Sequence, residues 1–166
     1  MSIAESFLAE IDQEAAITKR VLERVPGDKL SWKPHEKSMS LGQLALHTAT
    51  IPGFIVALVT PDQFELPSSF DSPEAQTSEE LVPALESGVA TAKEYLSGLD
   101  DEAALSTWTL AKGDRVVMAV PRVSILRSIM LNHWYHHRGQ LSVYLRLLDV
   151  PVPSIYGPSA DENPFA

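Results

Sequence analysis

The sequence contains no cysteine among its 166 residues. This absence excludes disulfide scaffolds, CxxC redox chemistry, a cysteine nucleophile and every thiolate metal site. Any transition metal must therefore be held by imidazole, carboxylate or carbonyl groups. Any thiol chemistry must use a thiol from outside the chain.

Positive charge is also scarce, since 13 Lys and Arg stand against 22 Asp and Glu and give a net charge of −9. A chain this acidic repels phosphate backbones and anionic lipid, so we expect neither nucleic acid nor a membrane as a partner. The longest mostly apolar run, residues 51–59, is much shorter than the roughly 20 residues of a membrane span. The N-terminal residues show no signal-peptide pattern. We therefore expect a cytoplasmic protein.

Apolar residues are plentiful, at 45% of the chain. This content is typical of a folded domain, and the length matches one domain of about 100–200 residues. The sequence shows no internal repeat, no low-complexity tract and no change of composition that would mark a boundary. We predict a single domain over residues 1–166.

Four long segments carry apolar residues at helical spacing. Capping boxes at residues 2–5 and 40–43 predict the starts of the first two helices. Residues 77–80 suggest the start of a third helix, although Pro83 favours a later one. The fourth helix is predicted over residues 121–148, because proline is favoured in a first helical turn.

The segments between these helices have their own signals. Residues 60–78 are rich in Pro, Ser and Asp without periodicity, which predicts a long surface loop. Residues 108–120 alternate around Lys112-Gly113-Asp114, which predicts a short hairpin. We therefore predict an all-α protein, a four-helix bundle with a long loop after helix 2 and a short hairpin before helix 4.

Three histidines lie on the apolar stripes of the predicted helices. His133 and His137 are separated by about 40° on one helix face, at roughly 100° per residue. With His47 of the second helix they could hold a divalent metal and leave one coordination position open. The spacer lacks the Glu of the HExxH motif, which disfavours a peptidase. The same spacing also fits hydrogen-bonded core histidines, so the residues alone leave both interpretations open.

Other polar residues lie near these histidines in the sequence. His35 is expected in a loop and His136 at a partly exposed position. Arg138 should face away from the histidines, where a surface ion pair or a dimer contact would occupy it. Three further residues could hydrogen-bond to the metal ligands, although packing or helix capping explains them equally well: Gln43, Gln140 and Tyr144.

Four sequence blocks resemble the DinB-like family, which includes bacterial thiol-dependent transferases. They are LSWKP at 30–34, SLGQLALH at 40–47, HWYHHRGQL at 133–141 and PVPSIYGPSADE at 151–162. The resemblance covers about residues 2–162, with the order of the blocks preserved. One departure is Asp149, where members of the family often carry Gly at the helix end.

The resemblance implies a four-helix bundle, often a homodimer, with a divalent metal on His47, His133 and His137. Zinc and nickel are the metals that we expect. It also implies a low-molecular-weight thiol, such as bacillithiol, mycothiol or glutathione, and a small electrophile as partners. The expected activity is thus that of a metal-dependent thiol S-transferase or isomerase.

Three other functions remain open at this point. One is a non-catalytic binding module for the stress response, in which the metal stabilises the fold. Another is a metal-dependent hydrolase, because metal-bound water can act as a nucleophile near neutral pH. The last is a metal-free helical interaction protein.

Overall fold

A computed structural model describes residues 1–165 of the chain. Most of these residues are helical, and four long helical stretches form the body of the protein. The helices are α1 (Ile3–Leu22), α2 (Leu41–Val59), α3 (Leu81–Ser97), the short α4 (Asp101–Leu105), α5 (Arg122–Ile125) and α6 (His133–Leu147). A 3-10 turn at Gly27–Lys29 follows α1, and a π-helical segment, Leu126–Asn132, joins α5 to α6.

Both predicted capping boxes are confirmed. The Ser2 hydroxyl accepts from the Glu5 N–H while the Glu5 carboxylate accepts from the Ser2 N–H, and Ser40 and Gln43 make the same pair of bonds. Each box satisfies two backbone donors that the first helical turn would otherwise leave free.

The predicted start of α3 at residues 77–80 is wrong. The helix begins at Leu81, and Glu80 makes no side-chain capping bond. Pro83 is therefore in the first turn, where its missing N–H costs no helical hydrogen bond. The later start that Pro83 favours is confirmed.

The long helices pack around one continuous cluster of buried apolar residues. Helix α3 packs against α1 and α2, and α6 packs against α2 and α1. The approach of α2 to α3 is very close at Gly53, where an added Cβ would lie 2.8 Å from the Gly88 Cα. Two glycines thus allow the two backbones to approach each other.

Helix α2 is long and apolar enough to cross a membrane, with a mean hydropathy of 1.5 over its most apolar window. However, 56% of that window is buried inside the protein, and Pro52 lies within the helix. Core helices have the same composition. The apolar character of α2 is explained by its place in the core.

A small sheet makes the all-α prediction incomplete. The predicted hairpin is present as β2 (Thr107–Lys112) and β3 (Arg115–Pro121), which pair antiparallel. A third strand, β1 (Gln63–Glu65), lies within the predicted loop and pairs parallel with β2. A stretch of three residues is too short to show the alternation of apolar and polar residues that indicates a strand. Strand β1 forms because β2 supplies its hydrogen-bonding partners.

Arg138 corrects the expectation of a surface ion pair, because its side chain lies inside the protein. It pairs with Glu14 of α1, whose side chain is also buried. Burial of both charges is tolerated because Thr18 and Tyr156 take part in the same hydrogen-bond network. Helical periodicity predicts that Arg138 points away from the histidines, but it does not show that α1 covers that side of α6.

The chain after α6 returns along α1 and α6. It leaves the helix through Asp149, whose φ of 58° lies in the left-handed region. Glycine adopts this conformation most readily, and an aspartate tolerates it better than most other residues. The returning segment is bound through two carboxylates: Asp161 pairs with Arg146, and Glu162 pairs with both Arg20 and Arg24.

Candidate metal centre

The three predicted metal ligands come together between two helices. His47 lies in the second turn of α2, His133 is the first residue of α6, and His137 follows one turn later. The Nε2 atoms of His133 and His137 are 2.6 Å apart, and those of His47 and His133 are 3.5 Å apart. One ring nitrogen from each histidine lies within 4.8 Å of the other two.

This cluster fits a divalent metal ion in donor type and in spacing. Two imidazole nitrogens on a tetrahedral ion, each about 2.1 Å from it, are roughly 3.4 Å apart. The separation between His47 and His133 matches this value. The pair on α6 would need to open by less than about 1 Å, which small side-chain rotations supply. Three imidazoles suit zinc and nickel alike.

The environment keeps the three rings in the form that a metal needs. All three are half-buried, and burial lowers the pKa of His47 and of His133 from the ordinary 6.5. Burial lowers the pKa of His137 to about 4, although its hydrogen bond to Gln140 acts in the opposite direction. The rings are therefore neutral at pH 7, with lone pairs available for a metal.

Of the three polar residues predicted near the metal ligands, Gln140 hydrogen-bonds to a histidine of the cluster. Its Oε1 lies 2.8 Å from the His137 Nδ1. A carboxamide oxygen accepts hydrogen bonds, so Nδ1 carries the proton and the Nε2 lone pair faces the other two rings. Gln140 thereby selects the tautomer that can bind a metal.

The other two predicted neighbours are bonded elsewhere. The Tyr144 hydroxyl donates to the Met39 carbonyl at 3.3 Å, and its ring meets Trp32 edge-on at 5.6 Å. The Gln43 carboxamide belongs to the capping box of α2 and also donates to the Ser72 carbonyl. Both residues shape the surroundings of the histidines without a hydrogen bond to them.

The two remaining histidines lie outside the cluster. His136 is exposed, and its ring centroid is 5.0 Å from that of His137. His35 is exposed in the loop after α1, where its Nδ1 accepts from the Lys37 backbone N–H. These positions agree with the loop and partly exposed positions expected for them.

A cavity of about 730 Å³ adjoins the histidine cluster. His47 and His133 form part of its wall, so a molecule inside it would contact the cluster directly. The rest of the wall comes from α2, from Met39 before it, from the π-helical segment and from residues 64–73. The sequence does not predict this cavity, because nothing in the composition of residues 64–73 indicates that they fold over α2.

Fold and site together define a mostly helical protein with a three-histidine cluster suited to a divalent metal. The chain belongs to the DinB family, whose model matches residues 1–164. The resemblance noted in the sequence is thereby confirmed. The uncharacterized protein YrdA of Bacillus subtilis (strain 168) is 27% identical over 162 residues, which cover 95% of this chain and 90% of YrdA.

Solved structures show the same fold. A DinB-like protein from Bacillus cereus ATCC 10987 matches with a TM-score of 0.71 at 23% identity, covering 92% of this chain and 97% of that one. The DinB-like protein YjoA of Bacillus subtilis matches with a TM-score of 0.69 at 21% identity, covering 90% and 96%. At these identities the likeness concerns the fold alone.

Proposed function

We propose that this protein is a four-helix bundle that holds a divalent metal on His47, His133 and His137 and transfers a low-molecular-weight thiol to a small electrophile. The observation that carries the proposal is the convergence of three neutral imidazole nitrogens at the wall of a cavity of about 730 Å³. A purely structural cluster has no need of a neighbouring cavity of this size. A homodimer and a cytoplasmic location stay predictions from the resemblance and the composition.

The absence of cysteine supports an external thiol, since the chain offers no sulfur of its own. A divalent ion lowers the pKa of a thiol that coordinates it, so that the sulfur is a nucleophilic thiolate at neutral pH. In the overall reaction a sulfur–carbon bond forms, the bond from carbon to its leaving group breaks, and the thiol proton passes to solvent.

The residues of this chain have distinct tasks in that reaction. His47 and His133 belong both to the cluster and to the cavity wall, so an electrophile in the cavity would lie next to the metal that they would hold. Gln140 holds His137 in the required tautomer. The mostly apolar wall would replace part of the water around an electrophile bound in the cavity.

Metal analysis of purified variants tests the ligand assignment. We expect about one zinc or nickel ion per chain in the wild type and loss of the metal in His47→Ala and His133→Ala. His136→Ala is the matched control, because its ring is exposed and adjacent to the cluster; it should keep the metal. Full occupancy in His47→Ala would show that the assignment is wrong.

Thiol consumption with a chlorinated nitroaromatic compound tests the activity. The metal-loaded wild type should consume bacillithiol, mycothiol or glutathione, and His133→Ala should not. Metal-loaded protein that consumes none of these thiols but melts at a much lower temperature after chelation would refute the transferase. That result would favour the metal-stabilised binding module.

Gln140 provides a graded test of the site. Gln140→Leu removes the hydrogen-bond acceptor from His137 and should weaken metal affinity by about 10- to 100-fold. Gln140→Glu keeps an acceptor at the same distance and should retain the affinity. Competition with a chromophoric chelator measures both variants, and equal affinities for Leu and Glu would contradict the role of Gln140.

A further inference from the structure

The cavity beside the histidines has the size and lining of a small-molecule site. Its volume of about 730 Å³ lies within the roughly 300–1,000 Å³ of typical ligand pockets. The wall is mostly apolar and includes three aromatic side chains, Phe54 from α2, Phe64 from β1 and Phe70 from the following segment. Aromatic walls favour ligands that are themselves flat and apolar.

The charges around the cavity select against anions. Of the described residues that line it, none is Lys or Arg, and Asp71 carries a carboxylate. In the metal-free protein, a buried anionic group would find no cationic side chain on this wall and would be repelled by Asp71. Removing an unpaired charge from water is costly, so the cavity favours an uncharged ligand.

Two of the aromatic residues meet at the solvent boundary of the cavity. The rings of Phe54 and Phe70 contact edge to face, with centroids 6.2 Å apart and planes at 82°. Their side chains are nevertheless 49% and 52% exposed. Two half-exposed phenylalanines on a cavity wall form an apolar surface that a bound ligand would cover.

We infer that this cavity binds a neutral aromatic molecule, that it discriminates against anionic analogues, and that Phe70 supplies part of the aromatic surface that the bound molecule contacts. The inference names the substrate class of the electrophile, and in that respect it rests on the proposed transferase function. Binding itself needs only the cavity, so it can be measured in protein from which metal has been removed.

A matched pair of fluorescent probes tests the inference. N-phenyl-1-naphthylamine is neutral, and 8-anilino-1-naphthalenesulfonate has the same aromatic skeleton with one sulfonate. We expect one site per chain for the neutral probe in chelator-treated wild type, with the sulfonated probe weaker by at least about tenfold. Fluorescence titration of each probe gives the two affinities, and equal or tighter binding of the sulfonated probe would overturn the inference.

Variants assign the binding to this cavity. Phe70→Ala should weaken the neutral probe by about fivefold, whereas Phe165→Ala, at an exposed phenylalanine outside the cavity wall, should leave it unchanged. Phe70→Lys should raise the affinity for the sulfonated probe and lower that for the neutral one. Wild-type affinities in Phe70→Ala or Phe70→Lys would overturn the inference.

The two proposals fail in different measurements. If the neutral probe binds as expected while the metal analysis shows no metal, the cavity inference holds and the transferase proposal is wrong. If the metal is present and the probe shows no preference for the neutral form, the cavity inference is wrong and the metal site stands.

Discussion

The buried ion pair between Arg138 and Glu14 allows a quantitative test of the packing of α6 on α1. The side chains are 1% and 6% exposed, and the Arg138 Nη2 lies 2.5 Å from the Glu14 Oε2. The Arg138 Nη1 donates to the Thr18 Oγ1 at 3.0 Å and to the Glu14 carbonyl at 3.2 Å. The Tyr156 hydroxyl donates to the same Glu14 carboxylate at 2.8 Å.

Arg138→Met removes the cation and leaves the Glu14 carboxylate inside the protein with one hydroxyl donor. Removal of one partner from a buried pair costs about 3–5 kcal/mol of the free energy of unfolding. If Arg138 were in an exposed pair, as the sequence predicts, its removal would cost about 0–1 kcal/mol. For a chain of this length the larger loss lowers the melting temperature by roughly 10 °C.

Equilibrium unfolding in urea, followed by circular dichroism, measures this loss. Arg146→Met is the matched control, because this exposed arginine of the same helix also pairs with a carboxylate, that of Asp161. The control should lose less than about 1 kcal/mol. A loss in Arg138→Met no greater than in the control would refute the argument.

A double variant separates the ion pair from simple loss of packing. Glu14→Gln removes the charge that Arg138→Met leaves unpaired, so the combined variant should be more stable than the sum of the two single losses predicts. Strict additivity of the single losses would mean that the two charges do not interact.

Two further predictions concern helix packing and acid stability. Gly53→Ala places a Cβ 2.8 Å from the Gly88 Cα and should lower the free energy of unfolding by about 1–3 kcal/mol. The control Gly139→Ala adds a Cβ that meets no described atom within 4 Å and should raise the free energy of unfolding by up to about 1 kcal/mol. Equal effects of the two substitutions in urea unfolding would contradict the close contact. A hydrogen bond from the Ser154 N–H holds the pKa of Glu162 below its ordinary 4.5, so its stabilising contribution is complete above that pH and is lost as the pH falls through the lower folded value. The melting temperatures of wild type and Glu162→Gln should therefore differ above pH 4.5 and converge as the pH falls further and further below it, and a difference that stays constant as the pH falls would contradict this linkage.

Local features of the fold could be predicted from the sequence because neighbouring residues determine them. The capping boxes at residues 2–5 and 40–43 satisfy donors within one helical turn, whatever the rest of the chain does. The hairpin around Gly113 likewise follows from local turn chemistry and alternation. The spacing of His133 and His137 on one face depends only on helix geometry.

Features formed between distant segments could not be predicted in this way. Strand β1 is three residues long and exists through its pairing with β2. The wall of the cavity combines α2 with residues 64–73, whose composition indicates only a loop. The π-helical segment before His133 also lies inside a periodic helical pattern that gives no sign of it.

The sequence by itself determined that any metal site must do without thiolate ligands, because the chain has no cysteine. It also determined that His133 and His137 share one face of a helix. Only the tertiary structure decided that His47, 86 residues earlier in the chain, meets them. It likewise decided that Arg138 is buried, because Glu14 reaches it across 124 residues of sequence. Helical periodicity says which residues share a face, whereas the packing of helices decides what that face touches.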